Sequence, residues 1–113
     1  MSRDVRLFLE DIVESARLAI EYVGSMSKAE FLSLRPIQDA VVRRLEIIGE
    51  AVKNVPEDVR LRYPAIPWAQ VAGLRDVLTH GYFRVDLNLV WTVVQRDLPE
   101  LEKRVSAILA ELA

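Results

Sequence analysis

The sequence predicts an all-α fold, an antiparallel helical bundle. Apolar residues recur at three- and four-residue steps along most of the chain. The breaks between those runs are marked by Ser, Gly and Pro, the residues that start and stop helices. No stretch shows the apolar–polar alternation of a strand, and there is no internal repeat or low-complexity segment.

Taken in order, the first helix carries Val5, Phe8, Leu9, Ile12, Val13, Ala16, Ala19, Ile20 and Val23 on one stripe, with Ser2 as N-cap and Gly24 as stop. Ser27-Lys28-Ala29-Glu30 has the form of a capping box, so a short helix is predicted from Lys28. Pro36 suits the first turn of the next helix, which buries Ile37, Val41, Leu45, Ile48 and Val52 and ends near Pro56. Gly49 lets that helix approach a neighbour closely. Pro56, Pro64 and Pro67 bracket a short connecting stretch, with one helical turn expected in Glu57 through Tyr63. A further helix is predicted from Pro67 or Trp68 to His80, closed by Gly81. Asp86 caps the last helix, with Val85 and Val90 as a hydrophobic staple. Pro99 lacks a backbone donor and predicts a kink or break between Arg96 and Asp97.

At 113 residues, 51% of them hydrophobic and 28% charged, the chain is expected to fold as one domain spanning 1–113. Its apolar runs are too short to span a bilayer, the N-terminus does not read as a signal peptide, and there is no Cys for a disulfide. A cytoplasmic protein with no membrane partner is the expectation. Charge is evenly spread: residues 1–34 hold four basic and six acidic side chains, 35–62 six and five, and 63–113 five and six. No segment forms a basic arm, so any phosphate site has to be assembled locally. Two long, strongly apolar helices are much for a short chain to cover, which favours a homodimer.

Chemistry centres on the only His. Placed at a helix C-terminus, His80 has an ordinary explanation, since its cationic form suits the helix dipole. Its neighbours suggest another. Arg75 precedes it by five residues and would lie about 140° away on a regular helix, so the two converge only if the chain turns at Gly81. Asp76, four residues before His80, would share its helix face, fix the imidazole tautomer and raise its basicity. Arg75 supplies a permanent planar cation suited to phosphate. One His without Cys gives no metal-ligand spacing, and Walker loops and Ser- or Cys-nucleophile motifs are missing, so neither metal nor cofactor is expected.

Longer blocks narrow the reading. Arg43-Arg44-Leu45-Glu46-Ile47-Ile48-Gly49-Glu50-Ala51-Val52, Tyr63-Pro64-Ala65-Ile66-Pro67-Trp68, Gly73 through Phe83 and Asp86 through Trp91, in this order and spacing, resemble the HepT-like branch of the HEPN superfamily. That branch is the toxin half of HepT–MntA toxin–antitoxin pairs, a type VII-like system. Its Arg-x4-His-x-Tyr pattern is met here by Arg75, His80 and Tyr82. The resemblance implies a HEPN-like α-helical homodimer whose two motifs meet in a composite cleft and cut RNA without a metal. It also implies a partner, an MntA-like minimal nucleotidyltransferase antitoxin that transfers AMP to the motif tyrosine, here Tyr82. The dimer makes chemical sense: cleavage by the 2′-hydroxyl needs a base and an acid, and a two-fold axis would supply a second His80.

Two alternatives stay open at this stage. One is a helical dimer of weak or no nuclease activity that serves as a binding module for its nucleotidyltransferase partner; the other is a dimerisation domain in which His80 only caps a helix. Trp68 and Trp91 read as packing residues. Arg43 and Arg44 read as a solvated face, and Glu50 needs a partner, such as Arg75, if it is buried.

Overall fold

A computed structural model describes residues 3–74, 76, 79–80 and 84–112, with Arg3, Thr79, His80 and Arg84 described by their backbone. Helix α1 (Arg3–Val23) buries Val5, Leu9, Ile12, Val13, Ala16, Ala19 and Val23, the stripe its spacing predicts. It stops at Gly24, whose φ of 54° is the left-handed conformation that L side chains resist. The Ser2 cap lies outside the described residues. Helix α2 (Lys28–Ser33) opens on the capping box: the Glu30 amide donates to Ser27 Oγ at 3.1 Å, and the Ser27 amide to Glu30 Oε1 at 3.0 Å. The Ser27 amide, and after it the Ser27 side chain, hold the Glu30 carboxyl below its usual range.

Helix α3 (Arg35–Lys53) carries Pro36 in its first turn and buries Val41, Leu45, Ile48 and Val52. Ile37 is only partly buried; Gln38 takes the inner position and donates Nε2 to the Phe31 carbonyl at 2.8 Å, satisfying a group at the end of α2. Short helices α4 (Glu57–Arg62) and α5 (Trp68–Ala72) follow. After them come two-residue strands β1 (Thr79–His80) and β2 (Arg84–Val85), which pair antiparallel. Helix α6 (Leu87–Thr92) runs through a π-helical turn (Val93–Asp97) into α7 (Leu98–Leu112).

The core lies between α1, α3 and the α6–α7 stretch. Helices α1 and α7 are antiparallel. Arg6 at the start of α1 reaches the Leu112 carbonyl at 3.5 Å, while Arg17 further along pairs with Glu102 at 2.6 Å. Phe31 is fully buried against Trp91, ring centroids 5.6 Å apart, and the Trp68 indole donates to the Tyr63 carbonyl at 3.0 Å. Both tryptophans therefore pack as predicted. Among the described residues, no helix is long and apolar enough to cross a membrane.

Two expectations change form. The break expected before Pro99 appears as the π-helical turn, in which the Leu98 amide donates to Val93 five residues back. The wider turn relieves the clash of the proline ring with the preceding turn while the helix continues. The helix predicted to run from Trp68 to His80 is a correction. Helix α5 ends at Ala72, a turn at Gly73 interrupts the path, Leu74 and Asp76 are helical again, and Thr79 and His80 are in a strand. Gly73 costs about 1 kcal/mol in a helix, and pairing with Arg84–Val85 satisfies backbone groups that a frayed helix end would leave open.

Candidate active site

The site is built on the way α5 sits against α3. Gly49 is buried, and a Cβ placed on it would stand 3.5 Å from the carbonyl oxygens of both Val71 and Ala72. The missing side chain thus sets how closely α5 lies on α3, as its sequence position suggests. Tyr63, in the connector before α5, donates its hydroxyl to Glu111 Oε2 at 2.8 Å and ties this region to the end of α7. Chiefly through that bond, the Tyr63 hydroxyl titrates above its ordinary value.

Beyond Gly73, Leu74 and Asp76 are helical, with the Asp76 amide donating to the Gly73 carbonyl at 3.1 Å, and the hairpin follows at Thr79. Thr79 pairs with Val85 and His80 with Arg84; residues 81–83 connect the strands. Asp86 follows directly and caps α6, its Oδ1 accepting from the Leu89 amide at 3.1 Å. Val85, expected to staple against Val90, is exposed, while Val90 is fully buried.

Of the four residues assigned to the site, His80 is placed by its backbone on β1, and Asp76 is exposed and helical ahead of that strand. Arg75 and Tyr82 lie outside the described residues, as does Gly81. The shared-face argument for Asp76 and His80 does not hold, because it needs a continuous helix between them and His80 is in a strand. For the same reason, the helical angle between Arg75 and His80 no longer describes their separation. Glu50 is exposed and needs no buried partner; Arg43 is exposed and Arg44 half-buried. Among the described residues, no three His, Asp or Glu side chains are grouped to hold a metal ion.

A furrow of about 410 Å³ lies between the α5 segment and the π-helical turn with α7. Its floor includes Ile66, Val71, Val93, Leu98 and Leu101, and it reaches Leu74, the residue before Arg75. The charged groups on it come in pairs, Arg96 with Asp97 at 3.0 Å and Arg104 with Glu100 at 2.8 Å.

The family model for ribonuclease HepT-like proteins matches residues 12–108. The chain belongs to the HepT-like ribonuclease family. A Methanocaldococcus jannaschii protein, named for gamma-glutamylcyclotransferase and a candidate RNase, is 45% identical over 112 residues, covering 99% of this chain and 50% of that one. This chain therefore spans only half the length of that relative. A shorter candidate RNase from the same organism is 42% identical over 106 residues, 94% of this chain and 97% of its own. A Thermococcus cleftensis protein named as a candidate ribonuclease HepT is 43% identical over 102 residues, 90% and 93% of the two chains. No solved structure matches the chain significantly.

Within this HepT-like chain, sequence reading missed the hairpin and with it Arg84, which stands across from His80. A signal was present. Thr79-His80 and Arg84-Val85 flank three residues that begin with Gly81, a pattern that also reads as a hairpin. On sequence alone, the helix-stop reading of the same glycine outweighs it.

Proposed function

We propose that this HepT-like chain is a metal-independent endoribonuclease, the toxin of a type VII-like toxin–antitoxin pair, acting as a homodimer in the cytoplasm. The observation that carries the reading is the unbroken Arg75-x4-His80-x-Tyr82 motif in a chain of the ribonuclease HepT-like family. The 2′-hydroxyl oxygen of RNA attacks the neighbouring phosphorus as one His80 takes its proton. The 5′-oxygen leaves as the His80 of the partner subunit gives it a proton, and a 2′,3′-cyclic phosphate results. Arg75 stabilises the charge that builds on the phosphorane-like transition state. Asp76, exposed and helical ahead of the hairpin, is a supporting carboxylate of the motif, without the shared helix face that would aim it at His80 of its own chain.

The dimer reading draws support from the furrow beside Leu74. Its apolar floor is partly open, and each of its two guanidinium groups already has a carboxylate on its own helix segment. A copy of the same surface meets no unbalanced charge there. An MntA-like nucleotidyltransferase controls the enzyme through Tyr82: the phenol oxygen attacks the α-phosphorus of ATP, pyrophosphate leaves, and the phenol proton passes to solvent. The attached AMP adds bulk and negative charge where RNA phosphate must bind.

Labelled RNA incubated in EDTA with wild type and with His80→Ala tests the enzyme. Wild type is expected to release cyclic-phosphate ends and the variant to be slower by about 10²–10⁴, the range for an acid–base group. An inert wild type, or cleavage that EDTA abolishes, overturns the mechanism. Tyr82→Phe tests control: it keeps cleavage but gains no AMP mass with the nucleotidyltransferase and ATP. AMP found on another residue refutes the Tyr82 assignment.

A further inference from the structure

We infer that the furrow between α1 and α7 is a docking site for a basic amphipathic helix of a partner protein. The inference does not depend on the ribonuclease reading, because this furrow lies on the far side of α7 from the α5 segment. Helix α1 has its buried stripe, and Glu10, Val13, Glu14, Arg17, Leu18 and Glu21 form a second row beside it. Their steps of three and four are those of a helix seam, and α7 contributes Ser106, Leu109 and Ala110 at the same steps. Between the two antiparallel helices this leaves a groove of about 670 Å³, in which the ridge of a third helix can lie. From Glu10 to Glu21 the row is about 16 Å long, the rise of three helical turns. Val13 is buried at its floor, Leu18 and Leu109 are half-buried, and Ala110 is exposed. The small side chains of Ser106 and Ala110 let a backbone come close on the α7 side.

Charge decides which kind of helix fits. Arg17 is held by Glu102 at 2.6 Å and Glu10 holds Arg6 at 3.2 Å, so neither brings a free charge to the furrow. Glu14 and Glu21 are exposed and have no ion-pair partner among the described residues. They stand seven residues apart, two turns along one side of the seam, the spacing at which facing helices exchange flanking ion pairs. Their two charges equal the whole net charge of −2 that the chain carries. A helix with lysine or arginine seven apart beside an apolar stripe meets both carboxylates. A second copy of the same furrow would set like charges together instead. Ser106 is an independent sign that this surface is unfinished. Its Oγ is buried and has no hydrogen-bond partner among the described residues, a cost that a polar group on the docked helix removes.

Fluorescence anisotropy on the full chain tests the assignment with a labelled synthetic peptide of about three heptads, its leucine–alanine stripe flanked by lysines seven apart. Two control peptides carry the lysines on the face opposite the stripe, or glutamate in place of lysine. The first peptide is expected to bind, and both controls to bind at least about tenfold more weakly. Glu14→Gln with Glu21→Gln should weaken the first peptide about tenfold at low salt, and less as salt rises, as the loss of two exposed ion pairs does. Glu50→Gln with Glu57→Gln removes the same net charge from exposed sites outside the furrow, and should leave affinity within about twofold. Ala110→Trp keeps every charge, fills the exposed α7 side of the furrow and should block the peptide. If that variant does not keep the wild-type circular dichroism, Ala110→Gln carries the blocking arm. No binding to wild type, equal binding of the three peptides, equal loss in the two glutamate pairs, or full binding to the blocked variant overturns the inference. So does a wild-type oligomer that falls to monomer as the peptide binds, because a second copy would then be the occupant.

Discussion

Two furrows run along α7, one shared with α5 and one with α1, and they differ in charge. At 100° per residue, Leu101 and Arg104 on the first and Ser106, Leu109 and Ala110 on the second are centred about 160° apart around the helix. The α5 furrow holds two arginines and two carboxylates in local pairs. The α1 furrow is rimmed by Glu14 and Glu21, with Glu10 paired to Arg6 and Arg17 paired to Glu102. A two-fold contact through the acidic furrow would set like charges near each other, at a cost that salt screens only in part. The neutral furrow carries no such penalty and is also the one lined by Leu74, next in sequence to Arg75. The contrast shows that the balance of charge within each surface, more than the net charge of −2, bears on where a copy can dock.

The largest effect that can break this comparison is catalytic. If the neutral furrow brings two His80 residues into one cleft, His80→Ala protein mixed with wild type should poison it, because mixed dimers lack either the acid or the base. Activity should then fall below simple dilution, toward the 10²–10⁴ deficit of the pure variant. Activity that tracks dilution alone would mean each subunit cuts independently.

Next come the furrow charges themselves. Ala65→Glu with Gln70→Glu adds two like charges per subunit to exposed positions of the neutral furrow. Dimer affinity should weaken about tenfold or more, as like-charge juxtaposition at an interface does. Glu14→Lys with Glu21→Lys in the acidic furrow should leave the dimer mass unchanged in sedimentation. The reverse result would exchange the roles of the two faces.

A smaller effect sharpens how the neutral furrow keeps its α5 wall. Gly49→Val would press against the Val71 and Ala72 carbonyls, costing about 1–3 kcal/mol of unfolding free energy as overpacking does. Gly49→Ala places only a methyl at an ordinary contact distance of 3.5 Å. It should be neutral or gain up to about 1 kcal/mol from helix propensity. Equal destabilisation in denaturant melts of both variants would show that the approach of α5 tolerates no atom at all.

The smallest expected change is in alkaline stability. The Tyr63 hydroxyl is raised above its ordinary value of 10.0 by its bond to Glu111, so folding favours the neutral phenol. That contribution is fully present below the ordinary value and is lost as pH rises through the higher folded value. Tyr63→Phe should remove this part of the fall in melting temperature between about pH 9 and pH 11, the range that brackets an ordinary tyrosine. Identical alkaline slopes for both proteins would discount the bond.

The sequence by itself determined the features that depend on a few adjacent residues. The Ser27–Glu30 box, the Gly24 stop, Pro36 in the first turn of α3 and the Asp86 cap each close hydrogen bonds or set backbone angles within about four positions, and all formed. The buried stripes of α1 and α3 were equally legible, because a long amphipathic period has one favourable way to meet a core. The motif residues could be picked out by type, since the chain has one His and no Cys. Tertiary structure alone decided the rest. Two-residue strands have no period to read, so the pairing that ends the helical path before His80 depends on Arg84 and Val85 returning across from it. Pro99 announced a disturbance, but whether a helix breaks or widens into a π turn depends on the packing that holds Val93, Val94 and Leu98 in the core. The difference between the two furrows on α7 likewise came from which side chains the bundle brings together, because charge counted along the chain is nearly uniform while charge on a surface depends on its neighbours in space.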